Sequence, residues 1–173
     1  MHKAGAFLFV CAGLFALALL LPRPAAAAWP TDPRVNVPLC TASGVQRSPI
    51  IVADGAGGAI VTWSDERDGI YSDDIYAQRV SATGAVQWTA NGVALCTATG
   101  WQYYSVIVPD GVGGAIVTWL DGRSGFGYEV CAQRISPAGT VQWPADGMAL
   151  CTAAWTQGPP GSVADGEGGA VVA

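Results

Sequence analysis

The sequence predicts an all-β protein made of repeated four-stranded antiparallel sheets. Three observations predict it. First, Asp54-Gly-Ala-Gly-Gly-Ala-Ile-Val-Thr-Trp63 returns as Asp110-Gly-Val-Gly-Gly-Ala-Ile-Val-Thr-Trp119 and begins again as Asp165-Gly-Glu-Gly-Gly-Ala-Val-Val-Ala173. Second, each copy carries short runs of β-branched residues separated by glycine turns. Third, no stretch after residue 28 holds a helical period, and 23 glycines and 11 prolines interrupt the chain too often for a long helix.

The first 28 residues stand apart. A basic start (His2, Lys3), an apolar run from Ala4 to Leu21 and a small-residue end at Ala25 to Ala28 predict a secretory signal cleaved before Trp29. The run is also long enough to raise a membrane anchor. The Pro22-Arg23-Pro24 break and the alanine-rich end favour cleavage. Cys11 follows Val10, where a lipid-attachment cysteine needs a small residue.

The 173-residue chain carries 13 acids against eight lysines and arginines, a net charge of −5. Beyond residue 28 there is no lysine and no histidine, and only six arginines oppose the 13 acids. That excludes Ser-His-Asp and Cys-His catalysis and imidazole metal ligation. It also makes nucleic acid and anionic membrane surfaces poor partners, and no membrane insertion is expected after signal removal. The expected location is secreted, periplasmic or cell-surface.

After a lead-in over 29–47, the first unit is expected over 48–103, the second over 104–158, and a truncated third over 159–173. The first strand of each unit is read at Ser48–Ala53 and Tyr104–Pro109, with isoleucine and valine in alternation. Asp-Gly-x-Gly-Gly then makes a hairpin turn, because glycine supplies the positive φ that such turns need. The second strand is Ala59–Trp63 and Ala115–Trp119. A polar loop of variable length follows. It absorbs the one-residue difference between the repeat offsets of 56 and 55. The third strand is Ile75–Val80 and Val130–Ile135. Turns at Ser81–Gly84 and Ser136–Gly139 lead to a fourth strand expected around Val86–Trp88 and Val141–Trp143.

Four antiparallel strands per unit of about 55 residues fit a β-propeller blade. A β-sandwich or an open stack of sheets is the nearest alternative, but a sandwich needs no identical hairpins at fixed intervals. The chain holds about 2.6 such units, whereas a propeller closes with roughly four to eight. It therefore reads as a fragment of a longer product, with missing blades of the same chain as partners. Trp29 to Cys40 resembles Trp88–Cys96 and Trp143–Cys151, so it can complete another blade of an intact ring.

The repeated residues read mainly as scaffold. Trp63 and Trp119, and Trp88 and Trp143, are expected to pack between neighbouring units, with a sugar platform as the sharper alternative. Asp65 with Arg67, and Asp121 with Arg123, stand two apart and can pair as a repeated staple. Arg79 and Arg134 are expected to meet the same acids from the adjacent strand. A catalytic arginine cluster is the competing reading, but no catalytic residue is assigned. Asp54-Gly55 and Asp110-Gly111 read as turn chemistry. The loop acids Asp65, Glu66, Asp68, Asp73 and Asp74 are a weak calcium candidate, set against a solvated, self-repelling loop. No other cofactor is expected. Four cysteines in an exported chain invite a disulfide reading, but Cys40, Cys96 and Cys151 share one repeat position, generally too far apart from unit to unit for disulfides, so the preferred reading of these and Cys131 is buried thiols. Trp101, Tyr103 and Trp155 lie in the variable segment before the first strand, where a ligand can be reached. They are the candidate ligand contacts, with loop residues that merely cover the sheet as the plainer reading of Trp101 and Trp155.

Asp-Gly-x-Gly-Gly-x-x-Val-x-Trp-x-Asp-x-Arg, then Ile-Tyr-Ala-Gln-Arg-Val and a Gly-x-x-x-Trp hairpin, resembles the repeats of large secreted bacterial proteins with propeller-like domains. Many of those are uncharacterised, and some carry sorting or adhesion modules. Thr83-Gly84-x-x-x-Trp88 is similar to the tryptophan-docking hairpin of quinone-dependent dehydrogenases, but Val80 stands where that motif has aspartate. Ser81 and Trp88 resemble the sialidase Asp-box, but Thr83 and Ala138 replace its central acid. The resemblance implies an exported, non-catalytic scaffold that binds an extracellular protein or glycan. The alternative is a piece of a propeller-type glycoside hydrolase or lyase whose catalytic residues lie in missing blades.

Overall fold

The computed structural model describes residues 29, 30, 32, 34–69, 72–153 and 156–173. The export signal read over residues 1–28, and Trp155, lie outside the described residues. All regular structure among the described residues is β-strand, and no described helix is long and apolar enough to cross a membrane.

Ten strands form three antiparallel sheets. The first holds β1 (Gln46–Ala53), β2 (Ala59–Asp65), β3 (Asp74–Val80) and β4 (Val93–Cys96), in that order. The second repeats the order with β5 (Gln102–Pro109), β6 (Ala115–Asp121), β7 (Glu129–Ile135) and β8 (Met148–Cys151). The third is the pair β9 (Ser162–Ala164) and β10 (Ala170–Val172). Matching sequence segments thus lie in separate sheets. Their registers match too: Ile60 faces Arg79 across β2 and β3, as Ile116 faces Arg134 across β6 and β7.

The hairpin turns form as the glycine pattern dictates. Asp54 Oδ1 accepts hydrogen bonds from the backbone N–H groups of Ala56 and Gly58, both at 2.8 Å. Asp110 and Asp165 repeat this cap.

The fourth strand is not where the sequence reading put it. Val86 and Val141 make only isolated bridges, to Val80 and Ile135. The reason is a buried glutamine on the third strand. Gln78 Oε1 accepts from the Trp88 backbone N–H at 3.0 Å, and its Nε2 donates to the Thr89 carbonyl at 2.8 Å. Gln133 treats Trp143 and Pro144 in the same way. A side chain satisfies the backbone groups that a ladder would otherwise pair. The chain then reverses through Asn91-Gly92 or Asp146-Gly147, all at positive φ. It returns to the third strand as Val93–Cys96 and Met148–Cys151.

In each four-stranded sheet the two central strands are buried on both faces. Ile60, Ile75 and Ala77 of the first sheet pack with Ile107, Val117, Trp119 and Cys131 of the second, together with Trp88, Leu95 and Cys96. Ile107 is 4% exposed there, whereas Ile51, its counterpart on the first sheet, is 64% exposed. Covering Ile107 contributes roughly 1.5–3 kcal/mol. Stability therefore comes from sheet lying on sheet. The far face of the second sheet meets the third, where Thr118 Oγ1 and Ser162 Oγ lie 2.8 Å apart.

Candidate functional site

Two constellations stand out: a repeated acid–arginine clamp and an aromatic cleft that occurs at one junction.

The clamp grows from strand alternation. Trp63 and Asp65 lie on the same face of β2, so Trp63 Nε1 donates to Asp65 Oδ2 at 2.7 Å. The chain then turns, and Arg67 reaches back. Its Nε donates to Asp65 Oδ1 at 2.9 Å and its Nη2 to Oδ2 at 2.6 Å. Arg67 Nη2 also reaches the Asn91 carbonyl at 2.8 Å, and its guanidinium carbon lies 3.7 Å from the Tyr76 ring centre. Trp119, Asp121 and Arg123 repeat the arrangement on the second sheet, with Arg123 Nη2 on the Asp146 carbonyl. The cysteines join it: Arg67 Nη2 lies 3.4 Å from Cys40 Sγ, and Arg123 Nη2 lies 3.3 Å from Cys96 Sγ. Cys96 comes from the sheet before its clamp.

Burial pushes the Asp65 and Asp121 carboxyls up, but hydrogen bonds from the arginine and the indole outweigh it and hold both below the ordinary carboxylate value. Each acid is wholly buried and saturated with donors. No lone pair is offered to a substrate, so the clamp holds structure. All four described cysteines are free thiols. Burial pushes Cys96 up to about 12 and Cys131 up to about 11.

Arg79 and Arg134 do not meet the clamp acids, as the sequence reading had it. Arg79 pairs with Asp54 at 2.8 Å and Arg134 with Asp110 at 3.0 Å. The register decides this: each arginine lies opposite the start of the second strand, beside the hairpin turn, at the other end from Asp65 and Asp121. Arg79 Nη1 also donates to the Pro137 carbonyl of the second sheet at 3.0 Å, and Trp88 Nε1 donates to that same oxygen at 3.0 Å. Trp29 stands against the first sheet in the same way, with Nε1 donating to the Ala82 carbonyl at 2.9 Å. Trp119 and Trp88 lie in the core between the sheets, and Trp63 packs with Val61, Tyr76, Leu39 and Cys40. Trp143 is half-buried and lines a cavity shared with the third sheet.

The loop acids separate. Asp65 belongs to the clamp, and Asp73 lies 3.6 Å from Arg47. Asp74 is raised to about 7 by burial and by the adjacent Asp68 carboxyl. Among the described residues, no three His, Cys, Asp or Glu side chains gather to hold a metal ion.

The cleft lies where the first strands of the two sheets approach. Arg47, Ser48, Ser64, Asp73, Trp101, Tyr103, Tyr104 and Tyr128 line a cavity of about 400 Å³. That lies in the lower part of the roughly 300–1,000 Å³ range of small-molecule sites. Tyr103 sits edge-on to both Tyr104 and Tyr128, with ring centres 4.8 and 4.9 Å apart. Burial, then the hydrogen bond with Tyr128, holds the Tyr103 phenol above its ordinary value. Bulges at Arg47/Ile50 and Tyr103/Val106 break the two first strands, and Ser48 and Tyr104 occupy them at φ 52° and 53°. A bulky residue held there is strained, and bulges commonly re-aim side chains beside functional sites.

Of the residues proposed from sequence for ligand contact, Trp101 and Tyr103 meet in this cleft. Arg47, Asp73, Tyr104 and Tyr128 were not singled out there as ligand contacts. The missing signal was the bulge, which no residue type announces. No family model matches the chain, and comparison with curated proteins and with solved structures finds no match.

Proposed function

We propose that this chain is an exported, non-catalytic binding scaffold whose sheets are propeller-type blades and whose cleft takes an extracellular protein or glycan. The observation that carries the reading is a contrast between the two constellations. The acid–arginine clamp recurs in both sheets with its polar atoms consumed internally. The cleft occurs where the two sheets differ in sequence, with tyrosine at 104 where the first sheet has Ser48. Its exposed rings suit recognition, since aromatic side chains bring large contact area with few rotors to freeze.

The test is ligand capture by the full chain from arrays of glycans and of extracellular proteins, beside a hydrolysis screen on polysaccharides. Binding that weakens with Trp101→Ala and produces no turnover is expected. Sustained turnover, or binding indifferent to Trp101, overturns the proposal.

A further inference from the structure

We propose that the cleft between the first two sheets is a subsite for a neutral sugar ring. This rests on the binding role above and narrows it to one ligand class.

The polar groups of the cleft make a donor–acceptor pair suited to vicinal hydroxyls. Arg47 is held between Glu66, which it contacts directly, and Asp73 Oδ2 at 3.6 Å. Its side chain stays 42% exposed, so guanidinium N–H groups remain free to donate outward. Asp73 is 4% exposed, and its Oδ1 has no hydrogen-bond partner among the described residues. A buried acceptor left unpaired is destabilising, and a ligand O–H brought to that carboxyl would relieve it. Asp73 lines the cavity, so once its carboxyl turns the buried Oδ1 toward a ligand, one sugar hydroxyl can donate to it while a neighbouring oxygen accepts from Arg47.

The apolar half of the cleft suits the other side of such a ring. Trp101 and Tyr104 are 42% and 59% exposed. A pyranose presents C–H groups on one face and hydroxyls around its rim. The C–H face can lie on an aromatic ring while the rim reaches the acid and the guanidinium. Tyr104 is held at positive φ by the bulge. A fixed ring loses little freedom on binding.

The charges choose among ligands. One cation, Arg47, is matched against two acids, Glu66 and Asp73. An anionic sugar finds no unbalanced positive charge and meets an acidic surface. A cationic ligand would have to share the cleft with the guanidinium. A peptide strand needs a row of backbone partners, whereas this cavity offers side-chain groups in about 400 Å³.

The experiment uses the full chain on immobilised neutral oligosaccharides and on uronate- or sialate-bearing ones, followed by titration calorimetry with the best neutral probe. Two variants test the site. Tyr104→Ser restores the residue that the first sheet carries at its own bulge, so the fold is kept. Asp73→Asn keeps the shape and removes the carboxylate. Phe126→Ala, on a fully exposed ring outside the cleft, is the control. Neutral glycans should be bound in preference to acidic ones, and each cleft variant should weaken binding about tenfold or more, with Phe126→Ala unchanged. Preference for acidic glycans, or neutral binding that ignores Tyr104→Ser, overturns the inference. Capture of a protein at a Tyr104-sensitive site with no sugar bound also overturns it, while leaving the binding role standing. No ligand of either class overturns both.

Discussion

Replacing Asp121 by asparagine should be among the most damaging conservative changes in the chain. The carboxylate is 1% exposed and accepts from Trp119 Nε1 at 2.8 Å, from Arg123 N and Nε at 3.0 and 2.8 Å, and from Arg123 Nη2 at 2.6 Å. An amide keeps only one oxygen. If that oxygen serves Arg123 N and Nε, the new NH₂ group points at two donors, Arg123 Nη2 and Trp119 Nε1. Each donor stranded in the interior costs about 1–3 kcal/mol. The part-buried guanidinium also loses its counter-charge, and breaking a buried pair from one side costs about 3–5 kcal/mol. The two figures describe one event, so we expect a loss of about 3–5 kcal/mol. Urea unfolding at pH 7, followed by tryptophan fluorescence, should show the midpoint falling by at least about 1 M. Because the folded state holds Asp121 below its ordinary value, its contribution is complete above about pH 4 and fades as the pH drops through the depressed folded value. The gap between wild type and variant should therefore narrow in acid. Asp165→Asn, an exposed turn acid with no arginine on it, is the comparison and should cost under about 1 kcal/mol. A loss below about 1 kcal/mol for Asp121→Asn would refute the clamp as a structural device.

Asp74 should show the opposite pH response. Its folded value is raised to about 7, so the folded state holds the proton more tightly, and stability falls as the pH rises from about 4 through 7. Asp74→Asn should melt higher than wild type at pH 8 and show little difference near pH 4; an equal gap at both values would contradict this. Gly147→Ala should cost at least twice what Gly111→Ala costs. Both sites have positive φ, worth about 1–2 kcal/mol each, but a Cβ at Gly147 would lie 2.5 Å from the Trp119 ring while Gly111 faces open space. Equal losses in urea unfolding would argue against that close approach. Gln133→Leu should cost about 1–3 kcal/mol per stranded backbone group at Trp143 and Pro144, and amide exchange at Trp143 should speed up. Cys96 and Cys131 should resist alkylation at pH 8 in the folded protein and react on unfolding, since burial pushes both thiols up. Rapid labelling of either in the native state would place it elsewhere.

The parts of this fold that were legible in the sequence are those set by neighbours along the chain. Strand period, glycine turns and the two-residue spacing of Asp65 and Arg67 are local, and the local chemistry carried through to the contacts. Two features were hidden because they depend on register. Arg79 turns to Asp54 because of where β3 starts relative to β2, which spacing alone does not state. The fourth strand moved to Val93–Cys96 because Gln78 takes up the backbone of Trp88 and Thr89. A lone glutamine in a strand carries no mark of that role. The cleft was half legible. Trp101 and Tyr103 stood out by breaking the repeat, whereas Arg47 and Asp73 join them only once two sheets lie side by side.

The joint between sheets has its own consequence. Thr41 N–H donates to Asn91 Oδ1 at 2.8 Å, and Thr97 N–H donates to Asp146 Oδ1 at 2.9 Å. The Leu-Cys-Thr end of one unit is the plug, and the turn and arginine of the next are the socket. A segment of about 55 residues therefore carries both halves of the same connector. Gene duplication can lengthen such an array, and recombination can shorten it, without a compensating change in either flanking unit. The segment between connector and hairpin lies outside this joint and can change without disturbing it, and it is where Trp101 stands in place of Val45.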